Sequence, residues 1–194
     1  MEVRVGLDAR MKCGWCAGDA LYEAYHDDEW GVPMRDDRRL FGLLMLEGFQ
    51  AWLSWITILR KRENFNRAFD SWDPDKIAAY GPDDIARLMA NPGIVRNRLK
   101  IEGAVKNANA WLRIQEEEDS ISGYLWGFVG GQPIVMRPAS SDDFRAISPE
   151  SDAMSKDLKK RGFTFVGSTI CYAFMQSAGM IDDHMVGCWQ ATSS

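Results

Sequence analysis

A chain of 194 residues, 46% hydrophobic and 26% charged, is one domain or two small lobes, with ample length to bury a proper core. Four cysteines without a secretory leader pattern argue against a disulfide framework, and no apolar run nears the ~20 residues that span a bilayer, so a cytoplasmic protein is expected. The net charge of −5 argues mildly against a nucleic-acid partner, although such a total can hide basic patches.

Residues 1–11 show no clear periodicity and read as a loose N-terminal extension, ahead of one domain over 12–194. The stretch from Cys13 to Trp30 is the densest in chemistry: Cys13, Cys16, His26 and the aromatics Trp15, Tyr22, Tyr25 and Trp30 fall together. Residues 19–25 predict a short helix with Tyr22 and Tyr25 on one face. Asp36 or Asp37 caps a strongly apolar helix over 39–48, which should lie centrally in the core. Glu47 sits at the end of that segment, against the helix dipole, where a solvated acid is disfavoured. A second helix is expected from residue 49 to about 62. Short helices follow from Asp73-Pro74 and after Gly81-Pro82, then a long amphipathic helix over 95–118 with Ile101, Val105, Ala108 and Leu112 inward. Ser120 caps a helix to residue 129, and a short extended piece is expected at Ile134-Val135. Helices over 151–161 and 168–178 flank the tight connection Phe163–Gly167. No strand pair is evident, so the fold class is all-α.

Three basic clusters stand out, at 60–62, 96–100 and 156–161. Each is more often a solvated helix end than a patch, although the fold could gather them into one phosphate-binding face. Near the C-terminus, His184 and Cys188 lie four apart, which on a helix places them on one face. With His26 and one N-terminal thiol they make a Cys2His2 set suited to tetrahedral zinc. Spacing alone leaves Cys13 and Cys16 both open as the first thiol ligand.

The segments CGWC…LYEAYHDDEWGVP, LEGFQAWLSWITILRKRENF, GIVRNRLKI and KKRGFTFVGSTICYAFMQSAGMIDDHMVGC resemble the 3-methyladenine DNA glycosylase I family of the helix-hairpin-helix superfamily, over nearly all of residues 12–188. The resemblance implies hydrolysis of the N-glycosidic bond of 3-methyladenine in alkylated double-stranded DNA, by a monomer that releases the free base and needs no membrane. It implies one structural zinc ion on Cys13, His26, His184 and Cys188, with Cys16 and Cys171 as non-ligand thiols. Glu47, Tyr25 and Trp55 would line the base pocket, and Trp15, Tyr22 and Trp30 would shape its walls. Trp52 and Leu53 would probe the gap left by the extruded nucleotide, and Phe165, Val166, Gly167 and Ser168 would grip the DNA backbone.

The residue types suit that chemistry, because an electron-rich box recognises a flipped cationic base by stacking and cation–π attraction. A buried carboxylate adds hydrogen-bond specificity. Two positions depart from the family pattern. Asp182 stands where asparagine is usual; it reads as a helix N-cap, with a catalytic role as the alternative. Trp52 stands where a small residue is usual. The rival reading is a zinc-stapled module that binds damaged DNA without cleaving it; a zinc hydrolase would need an open metal position, which four protein ligands deny.

Overall fold

The computed structural model describes residues 2–192; Met1, Ser193 and Ser194, which the expected extension and domain include, lie outside the described residues. The segment read as a loose extension is ordered. Strand β1 (Val3–Val5) pairs antiparallel with β2 (Met11–Cys13), Val3 opposite Cys13. Its anchor is polar and long-range: Lys12 is 2% exposed, with its ammonium 2.5 Å from Asp27 and 3.1 Å from Glu23. Three-residue strands carry no period to read, so only those tertiary partners specify the hairpin.

Helix α1 (Ala20–Asp28) starts at Asp19, whose carboxylate accepts from the backbone N–H groups of Leu21 and Tyr22. Helix α2 (Asp37–Gln50) starts at Asp36 and is buried through Leu40, Phe41, Leu44, Met45, Leu46 and Phe49, as its apolar character requires. The next helix does not begin at residue 49. The chain turns over 51–54, with Trp52 at φ 70°, and α3 (Trp55–Ala68) follows Ser54. Lys100 Nζ donates to the carbonyls of Phe49 at 2.8 Å and Ala51 at 2.7 Å. A cation thereby satisfies acceptors at the C-terminus of α2, where the dipole favours one.

Asp73 caps α4 (Pro74–Ala78), and α5 (Pro82–Ala90) leads into α6 (Arg98–Glu117), capped by Asn97. The buried stripe of α6 runs through Ile101, Ala104, Ala108, Trp111 and Ile114, which leaves Val105 and Leu112 only half-buried. Ser120 caps α7 (Ile121–Gly127). Helix α8 (Pro149–Lys160) begins at Ser148, earlier than expected, because Pro149 takes the first helical position. Helix α9 (Ser168–Ser177) completes the core against α2 and α8. Strand β3 (Ile134–Val135) pairs in parallel with β4 (Ile181–Asp182), a contact of two residues a side. The described residues are therefore mostly helical, as the all-α reading expected, with two small strand pairs that it did not foresee. Among the described residues, no helix is long and apolar enough to cross a membrane.

The α8–α9 connection is clamped onto α6. Asn107 accepts from Thr164 N–H at 2.8 Å and donates to the Thr164 carbonyl at 3.0 Å. Gly103 permits this approach, since a Cβ there would stand 2.9 Å from Thr164 Oγ1 and 3.0 Å from the Phe165 ring.

Candidate active site and metal centre

Helices α1, α2, α3 and α9 meet around a cavity of about 270 Å³. That is slightly below the ~300–1,000 Å³ typical for drug-sized ligands, and suits one flat heterocycle. All six side chains expected in or around a base pocket line it: Trp15, Tyr22, Tyr25, Trp30, Glu47 and Trp55. The Trp15 ring lies 4.8 Å from Tyr22 and 5.0 Å from Trp30, edge-on to both, and Tyr25 lies 5.5 Å from Trp55. The Trp55 indole Nε1 is buried with no hydrogen-bond partner.

Glu47 is not a solvated helix end; it is 2% exposed. Its partner was not foreseen. Ser177 Oγ donates to Glu47 Oε1 at 2.8 Å, and Tyr25 Oη donates to Ser177 Oγ at 2.9 Å, so three helices share one polar chain at the cavity. Burial pushes the Glu47 carboxyl up from 4.5 to about 8, with the Ser177 bond opposing it. Burial first, and then the neighbouring Glu47, hold the Tyr25 phenol well above its ordinary value. Gln50, Phe144, Arg145 and Gln176 also line the cavity. The 140s loop carries no periodic signal, and Ser177 reads as an ordinary helix residue, so neither was visible in the sequence.

Beside the cavity, the ligating atoms of Cys13, His26 and Cys188 lie within 4.8 Å of one another. His184 flanks this trio, its ring 5.0 Å from that of His26. Its Nε2 is buried without a partner while Nδ1 is 2.7 Å from Asp182 Oδ1. An orphaned, buried imidazole nitrogen next to two thiols and a second imidazole fits a tetrahedral soft-metal site. Cys16 falls outside that set, although it interacts with His26, and donates its thiol to the Cys13 carbonyl at 3.1 Å, while Cys171 is buried on α9 against the Val166 carbonyl. The hydrogen bond that Cys13 and Cys188 share, and then His26, bring the Cys188 thiol down, while the same bond and burial push the Cys13 thiol up, so the two sulfurs hold one proton between them.

His184 and Cys188 are not on a helix: residues 183–188 form an irregular turn. Asp182 consequently caps no helix. It ends β4 and accepts from the backbone N–H of His184 at 3.2 Å, and it does not line the cavity. Gly31 makes room for the His184 ring: its φ is +80°, and a Cβ there would meet His184 Cε1 at 2.6 Å. Trp30 lies 4.7 Å from the His184 ring and Trp15 lies 5.4 Å from His26, so two cavity walls pack directly on the Cys/His cluster.

The residues expected to face DNA differ in exposure. Trp52 is fully exposed, while Leu53 (39%) and Phe165 (37%) are partly so. Val166 is buried in the core, so only its backbone remains available; its carbonyl accepts from Ser155 Oγ. Gly167 begins α9 without a side-chain cap, and Ser168 Oγ bonds Ser151 Oγ. Several members of the basic clusters are already engaged. Arg60 pairs with Asp19, Arg62 with Glu29, and Arg161 with Asp157, Glu117 and Glu118, while Lys100 is spent on carbonyls.

Comparison with known proteins places this geometry in context. Residues 15–191 match the family model described as methyladenine glycosylase. The chain is 48% identical over 177 residues to DNA-3-methyladenine glycosylase 1 of Escherichia coli, covering 91% of this chain and 95% of that one. It superposes on a crystal structure of a 3-methyladenine DNA glycosylase I with a TM-score of 0.89 at 50% identity, covering 92% of this chain and 98% of the other. A solved complex of a variant 3-methyladenine DNA glycosylase I with 3-methyladenine gives the same TM-score, 0.89, at 37% identity over 93% and 97% of the two chains.

Proposed function

The chain belongs to the methyladenine glycosylase family, and from that premise we propose that it is a monofunctional DNA glycosylase hydrolysing the N-glycosidic bond of 3-methyladenine in alkylated DNA. The observation that carries this reading is the Tyr25–Ser177–Glu47 chain in an aromatic box of purine size. The target nucleotide is extruded from the duplex into the box. There Trp15, Tyr22, Trp30 and Trp55 offer π-faces to a base that is cationic while joined to its sugar. Glu47 accepts hydrogen bonds from the base edge, and the cation's charge draws the buried carboxyl toward its ionised form.

The alkylated base leaves as a neutral molecule, so its glycosidic bond needs little acid catalysis. Water attacks the anomeric carbon through an oxocarbenium-like state. Neither the aromatic walls nor the polar chain supplies a lysine amine, so no Schiff base forms and the backbone is left uncut. The DNA-facing elements form one helix-hairpin-helix reading: α8, the Phe163–Gly167 connection and α9. Uncapped N–H groups at Gly167 and Ser168 suit a backbone phosphate, and Phe165 flanks them. Exposed Trp52, with Leu53, fills the gap left in the stack.

Zinc on Cys13, His26, His184 and Cys188 supplies a structural tie between the N-terminal segment and the chain end, since four protein ligands leave no position for water. The test is chromatographic separation of free bases after incubation with methylated duplex DNA. Release of 3-methyladenine with intact strands is expected; tight binding of the DNA with no release would establish the non-catalytic damage-binding module instead.

A further inference from the structure

The two histidines of the cluster are held in the same way. His26 Nδ1 lies 2.7 Å from Asp27 Oδ1, and His184 Nδ1 lies 2.7 Å from Asp182 Oδ1. An ionised carboxylate only accepts, so each ring places a proton on Nδ1, which leaves Nε2 as the nitrogen that can turn a lone pair to a metal. His26 Nε2 is 3.4 Å from Cys188 Sγ, and His184 Nε2, on a ring 5.0 Å from that of His26, is buried with nothing to bond.

Each carboxylate is in turn held by a cation. Asp27 Oδ2 takes Lys12 Nζ at 2.5 Å and Arg10 Nη2 at 2.9 Å, with Trp189 Nε1 donating to Oδ1 at 3.1 Å. Asp182 Oδ1 lies 2.7 Å from Arg137 Nη1. We propose that Asp27 and Asp182 are positioning residues that aim His26 and His184 at a bound zinc ion, and that the β1–β2 hairpin belongs to this centre through Lys12. The proposal rests on the reading of the cluster as a zinc site.

Charge explains why each carboxylate has its own cation. Two thiolates already neutralise a divalent ion, so two further carboxylates leave a surplus of negative charge in a buried region. Lys12, sunk among Asp8, Glu23 and Asp27, offsets one of them, and Arg137 offsets the other. Asp182 thus acts on the metal ligand rather than on the sugar. The hairpin of residues 3–13 carries both a ligand, Cys13, and the cation that steadies the carboxylate behind another ligand.

The zinc-loaded protein is titrated against a chromogenic zinc chelator, and cobalt(II) is exchanged for zinc to read the ligand field. Asp27→Ala and Asp182→Ala are expected to hold zinc roughly 10–100-fold more weakly than wild type. Asp182→Asn is expected to stay near wild type, because its Oδ1 still accepts from Nδ1. Alanine variants that hold the metal as tightly as wild type, with an unchanged cobalt spectrum, overturn the proposal. Wild type that holds no zinc and gives no thiolate–cobalt band overturns the zinc reading itself and the proposal with it. Because the chain has only two histidines, ring ¹⁵N spectra of the wild type test the claim without any variant. Both rings are expected as Nδ1–H tautomers ligated through Nε2, and ligation through Nδ1 by either ring contradicts the assignment.

Discussion

A carboxylic acid sealed in an aromatic box cannot keep the charge it carries in water without a cation to balance it. Glu47 has only a serine hydroxyl, and its carboxyl rises to about 8 in the fold from an ordinary 4.5. The native state therefore binds more protons than the unfolded chain between those values, and stability falls as pH rises from about 4.5 through about 8. Glu47→Gln, neutral throughout, lacks this dependence. The urea midpoint of the wild type, relative to that variant, is expected to decline across this window; parallel curves would show that Glu47 stays charged in the fold. The same residue shows what sequence reading can and cannot reach. An acid against the dipole at the end of a greasy helix was legible as odd, but Ser177, 130 positions away, was not. A hydroxyl on a helix face carries no mark of its tertiary partner.

At the scale of elements, the apolar helices and the caps Asp36, Asp73 and Ser120 were legible because their signals are local, each cap bonding the first turn it precedes, whereas Asp19 and Asn97 cap their helices unforeseen. The breaks that matter for function were not legible. The break after α2 was expected at Gly48, but α2 runs on to Gln50 and the chain turns over 51–54, where Lys100 reaches across from α6. That turn holds Trp52 at φ 70° and fully exposed, a combination that costs stability twice. A left-handed backbone with a bulky side chain costs roughly 1–2 kcal/mol, and the exposed indole gains nothing from burial. Trp52→Gly is expected to leave unfolding stability within about 1 kcal/mol of wild type or above it. It is also expected to weaken binding to a duplex containing an abasic site by roughly tenfold, the loss of one stacking contact. Equal affinities of variant and wild type would remove Trp52 from the interface.

For the whole molecule, the cavity and the Cys/His cluster form one construction. Trp30 touches the His184 ring and lines the cavity, and Trp15 does the same beside His26. If the cluster holds zinc as proposed, stripping it with a chelator is expected to lower the melting temperature and also to weaken 3-methyladenine binding, read by tryptophan fluorescence; retention of both would detach the cluster from the pocket. The N-terminal hairpin escaped the sequence reading for the same reason that it matters here. Its strands are too short for a pattern, and its place is fixed by Lys12 meeting acids on α1.

The most direct test of the account is the single-turnover rate of 3-methyladenine release from methylated duplex DNA by folded, zinc-loaded wild type and Glu47→Ala. A buried hydrogen bond to a charged group contributes about 1.5–3 kcal/mol, so the variant is expected to be slower by roughly 10–100-fold. Release by the variant at the wild-type rate would contradict the assignment of Glu47 and its cavity as the site that recognises the base.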